Sequence, residues 1–384
     1  MADMLIDVTR LVTRLIKRRA PTGIDRVCLA YVRRYGPLAR ATLRRGRFGV
    51  TLPKSTSNQL FSLLREWKGQ SASGMADEVA EVVALPESVR GPVGSLLLNV
   101  GHSGPERPKY AEWLREKKLR PIFMVHDLIP VTHPEYCRPR EQERHATRVE
   151  NVLRTAAAVV TNSRVTLEVL SSYAADRQLP MPPALAAPLA GAELPTDERQ
   201  RPLAEPYFVM LSTIEPRKNH WLILQVWRRL VEQFGASAPR LVVIGQRGWE
   251  CENVLDLLDR SSVLRGFVFE KTGCSDTDLV NYLRHAQALL FPSFAEGYGL
   301  PLVEALSLGV PVIASELPVF REIAQDIPEY LDPLDGPAWL RCITSFCEPE
   351  SELRSSQLLR MAAFSPPTWS AHFEQFENLL ARVW

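Results

Sequence analysis

The chain has 384 residues, of which 46% are hydrophobic and 23% are charged, and its formal net charge is +2. This composition excludes disordered, collagen-like and coiled-coil proteins, and the length fits two domains of ordinary size. No apolar run approaches the roughly 18 residues of a membrane span, and the N-terminus lacks the apolar core of a signal peptide, so we expect a cytoplasmic protein.

The first fifty residues carry twelve basic and three acidic side chains. Among them, Leu11, Val12, Leu15 and Ile16 recur at helical spacing, which is typical of an interfacial helix. The pattern predicts peripheral attachment to the anionic inner face of the cytoplasmic membrane. Two alternatives stay open. The apolar residues could pack into the first domain and leave the arginines in water, or the basic segment could bind a phosphate of the acceptor.

Short apolar runs alternate with amphipathic stretches, which predicts parallel sheets with helical crossovers. In the first half we predict strands at Met4–Val8, Leu96–Val100, Pro121–His126 and Ala157–Asn162. The segment Ser55–Gly91 interrupts this alternation and contains one predicted helix, Gln59–Trp67. We interpret the segment as an insertion.

Seven prolines from Leu179 to Pro206 predict a linker, because proline neither continues a helix nor donates to a strand ladder. Beyond it, strands are predicted at Tyr207–Ser212, Leu241–Gly245, Val263–Val268, Ala288–Phe291 and Val310–Ala314. We therefore predict an acceptor-side domain at 1–195, a donor domain at 196–366, and a C-terminal helix at 367–384 that packs back on the first domain. Open α/β sheets bind ligands at the carboxyl ends of their strands, which predicts a site in the cleft between the two domains.

The segment Phe291–Glu304 has the densest chemical signal. A buried strand ends at Pro292, and a glycine-containing loop carries Glu296 and lets backbone N–H groups approach a ligand. A helix predicted to start near Leu300 places Glu304 one turn inside, so both carboxylates could face one polyhydroxyl ligand. We expect Glu296 to find hydrogen-bond partners only in a bound sugar. The alternative is a solvated loop glutamate and a carboxylate that the helix dipole favours.

This Glu-x7-Glu stretch resembles the signature of retaining glycosyltransferases of the GT-B fold, especially glycosyltransferase family 4. The segment Ser212–Asn219 resembles the family's basic loop, Leu241–Gly245 its VIG strand and Val160–Ser163 its V-x-x-S strand end. His126-Asp127 resembles the cleft histidine of bacterial mannosyltransferase-like members. The resemblance runs from about Val125 to the C-terminus and implies an α/β protein with two doubly wound, Rossmann-like domains facing a cleft.

The resemblance also implies roles for individual residues. The donor would be bound by Gly23, Arg217, Lys218, Glu296, Gly297, Tyr298, Gly299, Leu300 and Glu304. Of these, Arg217 and Lys218 would stabilise the leaving diphosphate, while Glu296 and His126 would contact the reacting sugar. His102 and Asp127 are acceptor-side candidates, and the alternatives for them are a solvated turn histidine and a structural carboxylate. The family usually has paired glycines where this chain has only Gly23.

The implied activity is transfer of a hexose, with mannose favoured, from a nucleotide diphosphate sugar to a hydroxyl of a bacterial surface polysaccharide such as O-antigen, capsule or exopolysaccharide. The acceptor would be a glycan or a lipid-linked glycan. Alternatives are a catalytically inactive GT-B scaffold and a GT-B sugar-nucleotide epimerase. We expect no metal and no other cofactor, because the D-x-D at Asp276–Asp278 is predicted to open a helix at Leu279–Ala286. Nucleic-acid motifs are lacking, so no nucleic-acid partner is expected.

Overall fold

The computed structural model describes residues 4–45, 48–67, 72–84, 89, 93–192, 195, 197 and 199–383. It divides into two compact units. The first comprises Met1–Val131, Arg140–Leu189 and Thr368–Trp384, and the second comprises Thr132–Pro139 and Ala190–Pro367. The division thus falls six residues before the sequence-based boundary at 195, and the segment 132–139 belongs to the second unit although both its flanks belong to the first.

The first unit contains a seven-stranded sheet in the order β3-β2-β1-β4-β5-β6-β7. Its strands are β1 (Met4–Asp7), β2 (Ala39–Arg45), β3 (Phe48–Thr51), β4 (Leu96–Asn99), β5 (Arg120–Val125), β6 (Ala158–Thr161) and β7 (Ala184–Ala186). All neighbours are parallel except β2 and β3. The four predicted strands are confirmed as β1, β4, β5 and β6. The sequence did not indicate β2, β3 or β7, and β7 lies within the predicted proline-rich linker.

Eight helices accompany these strands in the described part of this half of the chain. They are α1 (Thr9–Ile16), α2 (Gly23–Tyr35), α3 (Lys54–Glu66), α4 (Ala72–Ala84), α5 (Tyr110–Glu116), α6 (Ile129–Thr132), α7 (Glu141–Thr155) and α8 (Arg164–Asp176). The predicted insertion at Ser55–Gly91 is therefore wrong: α3 packs against β2 and α4 packs against α1, so both helices belong to the core of the unit. Residues 68–71, 85–88, 90 and 91 of that segment lie outside the described residues.

The apolar face of α1 lies in the core of the first unit. Leu11, Val12 and Leu15 are buried, and only Ile16 of the four apolar residues is exposed. The prediction of a membrane-inserting face is therefore wrong, because the fold already covers that face with protein. The basic residues Lys17, Arg18 and Arg19 are exposed. In the part of the chain that the structure describes, no helix combines the length and the apolar character needed to cross a bilayer.

The second unit contains a six-stranded, fully parallel sheet in the order β10-β9-β8-β11-β12-β13. Its strands are β8 (Tyr207–Leu211), β9 (Arg240–Ile244), β10 (Val268–Lys271), β11 (Leu289–Phe291), β12 (Val312–Ser315) and β13 (Glu329–Leu331). Its helices are α9 (His220–Phe234), α10 (Glu252–Arg260), α11 (Asp276–Arg284), α12 (Leu300–Ser307), α13 (Pro318–Ala324), α14 (Gly336–Cys347) and α15 (Glu352–Met361).

The predicted strand Val263–Val268 is out of place, because only its last residue belongs to a strand, β10. The apolar residues before it are in a turn from which Leu264 packs into the core, so their hydrophobicity reflects burial and not extended structure. The remaining predicted strands of the second unit are confirmed as β8, β9, β11 and β12, and β13 is an additional short edge strand.

The chain ends with α16 (Trp369–Val383), which belongs to the first unit. Its Phe373 and Phe376 pack edge-on against Tyr31 of α2, with ring centroids 5.2 Å apart in both pairs. His372 is buried beside them, and its Nε2 lies 2.9 Å from the hydroxyl of Tyr31. The helix is therefore an integral part of the core of this unit.

Candidate functional site

Two loops meet at the carboxyl edge of the second sheet. Because β8 and β11 are parallel neighbours, the loop that follows β8 lies beside the loop that follows β11. The first loop closes with one 3₁₀ turn, Pro216–Lys218, and passes into α9 through Asn219, whose φ is 55°. The side-chain amide of Asn219 donates to the carbonyl of Pro333 at 2.8 Å, which fixes this left-handed turn. Ligands of open parallel sheets bind at such an edge.

Arg217, Lys218 and Glu296 form one ion-pair network in these loops. Lys218 Nζ lies 2.5 Å from Glu296 Oε1, and Arg217 Nη1 lies 2.8 Å from Glu296 Oε2. Arg217 also pairs with Glu215 at 2.7 Å and donates to the carbonyl of Ala295 at 2.7 Å. The expectation that Glu296 lacks protein partners without sugar is thus wrong, because the basic loop is its neighbour across β8 and β11.

The electrostatics of Glu296 follow from these contacts. Burial alone would raise the pKa of its carboxyl group, but the charges of Arg217 and Lys218 outweigh burial. Hydrogen bonds from Lys218 and from Ser293, whose hydroxyl donates at 2.7 Å, lower the pKa further, to about 2. Burial and the charge of Arg217 lower the pKa of Lys218. The side chains of Arg217 and Lys218 therefore contact the same carboxylate, Glu296, and Arg217 has Glu215 as a second counter-ion.

The loop 292–299 ends at the N-terminus of α12, as the sequence predicts. Gly299 has a φ of 132°, and a Cβ there would lie 2.9 Å from the ring of Phe320, so this position requires glycine. Gly297 and Tyr298 precede it, and Tyr298 is buried. Leu300 is the first residue of the helix. The structure thereby puts a short glycine-containing turn and the N-terminus of α12 next to the ion-pair network.

Glu304 is buried one turn inside α12 and has a different partner from Glu296. Its Oε1 accepts from the backbone N–H of Ala192 at 3.3 Å, and a Cβ on Gly191 would lie 3.2 Å from its Cγ. The two glutamates of the predicted pair therefore sit at opposite ends of the same loop and helix, each with protein partners.

In the first unit, the site candidates lie at the carboxyl ends of β4 and β5. His126 follows β5 directly, and its backbone N–H donates to His102 Nε2 at 3.1 Å. The two rings pack edge to face with centroids 4.8 Å apart. His126 Nε2 lies 2.8 Å from the carbonyl of Val100, so Nε2 carries the proton and Nδ1 is the acceptor. Burial lowers the pKa of both His102 and His126, which keeps both rings neutral.

Two further side chains complete this cluster. Arg148 Nη1 donates to His145 Nδ1 at 3.0 Å, and His145 Nε2 therefore donates to the carbonyl of Asp127 at 3.1 Å. The Asp127 carboxylate accepts from the N–H of Ile129 at 3.1 Å, so it caps the first turn of α6. These contacts support the alternative interpretation of Asp127 as a structural carboxylate. The structure also adds His145 and Arg148, which the sequence did not indicate, to the cluster.

Gly23 lies in the first turn of α2, directly after the N-cap Thr22. Thr22 and Asp25 form a capping box, and Asp25 also pairs with Arg10 at 2.7 Å. The segment Pro21–Arg26 is therefore a helix start whose N–H groups are partly used by its own side chains. Because α1 begins two residues after β1 ends, the first strand-to-helix turn of the sheet is at Asp7–Thr9 and not at Gly23.

Several residues of these sites were not predicted. Glu215 and Ser293 hold Arg217 and Glu296, and Asn162 donates from its amide to the carbonyl of His126 at 2.9 Å. Their common signal is a polar residue at a strand end, which the sequence contains. Ser163, the last residue of the Val160–Ser163 segment, is the N-cap of α8 and accepts from Thr166 N at 3.0 Å.

Asp276 and Asp278 lie in the first turn of α11, whose N-cap is Ser275. Asp278 also pairs with Arg199 at 3.0 Å. The interpretation of this D-x-D as a helix start is thus confirmed, with the helix beginning three residues earlier than predicted. Over the described ranges, no group of three or more His, Cys, Asp or Glu side chains is placed to hold a metal ion.

Residues 196–327 match the family model for glycosyl transferases group 1. Among curated proteins, the chain is 28% identical over 275 residues to the serotype-specific mannosyltransferase WbdA of Escherichia coli, covering 65% of this chain and 33% of WbdA. It is 31% identical over 231 residues to the O-antigen chain mannosyltransferase B of Escherichia coli, covering 58% of this chain and 60% of that protein. The chain thus spans between one third and three fifths of the length of these relatives.

Two of the solved structures that match cover nearly the whole chain. Anabaena Alr3699/HepE in complex with UDP and glucose superposes with a TM-score of 0.67 and 13% identity, covering 99% of this chain and 100% of that one. The α,α-trehalose 6-phosphate synthase of Burkholderia multivorans superposes with a TM-score of 0.60 and 12% identity, covering 100% and 99%. At these identities the likeness shows the fold, which is GT-B with two Rossmann-like parallel-sheet domains.

Proposed function

Since residues 196–327 match the family model for glycosyl transferases group 1, we propose that the chain is a retaining hexosyltransferase of family 4 that uses a nucleotide diphosphate sugar. GDP-mannose is the first candidate donor, because the two Escherichia coli relatives described above are named mannosyltransferases. The acceptor is a hydroxyl of a bacterial surface glycan, free or lipid-linked, since the name of one relative assigns it to the O-antigen chain.

The observation that carries this proposal is the buried network of Arg217, Lys218 and Glu296 at the carboxyl edge of the second sheet. In this network Glu296 is the shared partner of both cations, and an anionic ligand beside the N-terminus of α12 could take its place. A nucleoside diphosphate is such an anion, and fixed positive charges aimed at its developing negative charge lower the barrier to its departure. Glu304 then accepts hydrogen bonds from the ribose hydroxyls, and Glu296 accepts them from the hydroxyls of the sugar.

In the proposed reaction, the acceptor oxygen forms a bond to the anomeric carbon on the face from which the diphosphate leaves. The bond between that carbon and the phosphate oxygen breaks, and the acceptor proton passes to a departing phosphate oxygen. The products are a glycoside with retained configuration and a nucleoside diphosphate. His126, neutral and with Nδ1 as acceptor, contacts a hydroxyl of the reacting sugar. The reaction needs no divalent ion, a proposal that the helix-start role of Asp276 and Asp278 supports.

The direct test is release of nucleoside diphosphate from GDP-mannose, UDP-glucose and UDP-N-acetylglucosamine, with and without a mannose-terminated oligosaccharide. We expect GDP release that the oligosaccharide accelerates, that EDTA leaves unchanged and that Lys218→Ala abolishes. The anomeric coupling constant of the new linkage reports retention. Preference for a UDP sugar would mean that the enzyme transfers glucose or N-acetylglucosamine and not mannose. Interconversion of donor sugars without transfer would favour the epimerase, and failure to bind or cleave any donor would favour the inactive scaffold.

The same proposal places the protein in the cytoplasm, with reversible attachment to the inner membrane face through charge alone. The support is the exposed trio Lys17, Arg18 and Arg19 directly after α1, each basic residue contributing about 1 kcal/mol near an anionic surface. Sedimentation with phosphatidylserine vesicles, but not with phosphatidylcholine vesicles, is expected at low salt. Changing the trio to serine should abolish it, while Ile16→Ser should not, because no apolar residue inserts.

A further inference from the structure

The segment Thr132–Pro139, here called the strap, belongs to the second unit although the chain on both sides of it belongs to the first. It contains one 3₁₀ turn, Pro134–Tyr136, and follows α6, so it is reached five residues after Asp127. Nothing in its sequence marks it as a part of the donor domain. What it contacts there indicates its role.

Two side chains of the strap stack on the second unit. The ring of Tyr136 lies parallel to that of Phe294, with centroids 5.0 Å apart and an interplanar angle of 4°. Arg138 places its guanidinium 4.7 Å from the ring centroid of Trp249. His133 extends the stack, with its ring 6.2 Å from that of Tyr136 and inclined by 19°. An offset parallel pair of this kind stabilises beyond the apolar area that it buries.

Phe294 connects this stack to the ion-pair network. Its backbone N–H donates to the carbonyl of Arg217 at 2.9 Å. The next residue, Ala295, accepts from Arg217 Nη1 at 2.7 Å, and the residue after it is Glu296, which pairs with both cations. Any displacement of Phe294 is therefore transmitted within two residues to the groups that would bind a diphosphate.

We propose that Tyr136 is a positioning residue of the donor site, an inference that rests on the proposed function. Its ring holds Phe294, and so holds the loop 292–299 against Arg217 and Lys218 in the geometry that receives the diphosphate. The ring and not the hydroxyl does this, because within the described ranges no hydrogen bond of the hydroxyl group is found and the contact is face to face. Small displacements of binding groups are costly, so a loop with two glycines benefits from a fixed aromatic support.

The test compares Tyr136→Ala, Tyr136→Phe and the control Tyr173→Ala, which removes a half-buried tyrosine from α8 of the first unit. GDP, UDP, guanosine and uridine are titrated into each by calorimetry. Tyr136→Ala should weaken binding of the preferred nucleoside diphosphate about two- to tenfold, the range expected for one aromatic pair. Binding of the nucleoside should not change, and Tyr136→Phe and Tyr173→Ala should bind as the wild type does.

Donor hydrolysis gives an independent measure: Tyr136→Ala should raise the KM for the donor more than it lowers kcat. Phe294→Ala should give the same loss, and the double variant should lose no more than either single variant, since both disrupt one contact.

Equal diphosphate affinity in Tyr136→Ala and the wild type would overturn this inference while leaving the proposed function intact. Equal losses for nucleoside and diphosphate would also overturn it, as a general effect on the fold. A wild-type protein that binds no nucleoside diphosphate would overturn both.

Discussion

At the scale of single residues, Glu296 has two tasks that can be separated by experiment. In the structure it is the counter-ion of Arg217 and Lys218, and its side chain is only 8% exposed. In the proposed reaction it turns to the sugar while the diphosphate takes over the cations. Removing one member of a buried ion pair is far more costly than the pair is worth, because it leaves uncompensated charge.

We therefore expect Glu296→Ala to lose transfer activity and to unfold at a lower temperature than the wild type, by an amount corresponding to about 3–5 kcal/mol. Added nucleoside diphosphate should raise the melting temperature of the variant more than that of the wild type, since the ligand replaces the missing anion. Differential scanning fluorimetry with and without GDP and UDP checks this, with exposed Glu374→Ala as the control. Equal ligand-induced shifts in variant and wild type would separate Glu296 from the diphosphate site.

A second residue, Arg44 of β2, is buried without a hydrogen-bond acceptor. It is 7% exposed, and in the described part of the chain none of its three guanidinium nitrogens has a partner. Its guanidinium lies 4.3 Å from the ring centroid of Tyr110 and 5.1 Å from that of Trp113. Cation–π contacts contribute about 0.5–2 kcal/mol, whereas burying an unpaired charge costs several.

Arg44→Met should consequently stabilise the protein by about 1–2 kcal/mol, because methionine fills a similar volume and keeps contact with both rings. Urea unfolding at constant m-value measures the change as a higher midpoint. Arg40→Met, a substitution on the same strand, provides the reference for the change in net charge. A lower midpoint for Arg44→Met would mean that the aromatic contacts outweigh the desolvation of the charge.

At the scale of elements, α1 shows how a basic helix becomes part of a core. Asp25, fully buried in α2, lies 2.7 Å from Arg10 Nε and 2.8 Å from Arg14 Nε. The same carboxylate accepts from the backbone N–H and from the hydroxyl of Thr22, at 2.7 and 2.6 Å. One acidic residue thus holds two arginines of α1 and caps α2, and it allows the apolar face of α1 to be buried.

Asp25→Asn should destabilise the first unit by about 3–5 kcal/mol, because the amide cannot compensate two partly buried guanidinium groups. Circular dichroism during thermal unfolding measures the loss. Changing Arg10 and Arg14 to methionine in the Asp25→Asn background should recover most of it, since the uncompensated charges are then gone. If the triple variant is no more stable than Asp25→Asn, the capping role of the carboxylate and not its ion pairs dominates.

At the scale of the whole molecule, the repeated alternation of apolar runs and helices predicted both sheets, because parallel strands buried on two faces leave a clear signal. It missed β2, whose buried alanines and leucine alternate with Arg40, Thr42 and Arg44, so that its sequence resembles a surface segment. Arg217, Lys218 and Glu296 could be found as candidates, but their mutual pairing could not, since it depends on which strands become neighbours. The stack of Tyr136 on Phe294 joins distant parts of the chain, and no local pattern encodes it.

The histidines make the stability of the whole molecule depend on pH. Burial lowers the pKa values of five of the seven, namely His102, His126, His145, His220 and His372. Because these pKa values lie below the unfolded value of 6.5, the unfolded chain binds protons first, and stability is lost as the pH falls through 6.5. Asp7 acts in the opposite direction, since burial raises its pKa to about 6.

We expect the urea midpoint to fall markedly between pH 7.5 and pH 5, because five histidines outweigh one aspartate. For His372, whose pKa is lowered to about 4, the cost at pH 5 is about 2 kcal/mol. His372→Gln should therefore show a smaller difference between the two pH values than the wild type, whatever its stability at pH 7.5. An identical pH dependence in both proteins would mean that His372 is not held neutral by the fold.

The position of α16 has a consequence for biosynthesis. A ribosome completes residues 190–367 of the second unit before it synthesises α16, the helix that covers Tyr31. The second unit can therefore fold while Tyr31 of the first unit is still exposed to solvent. During that interval a chaperone has an exposed aromatic surface to bind. The N-terminal half expressed alone would keep this surface permanently, whereas supplying residues 368–384 as a separate peptide would close it.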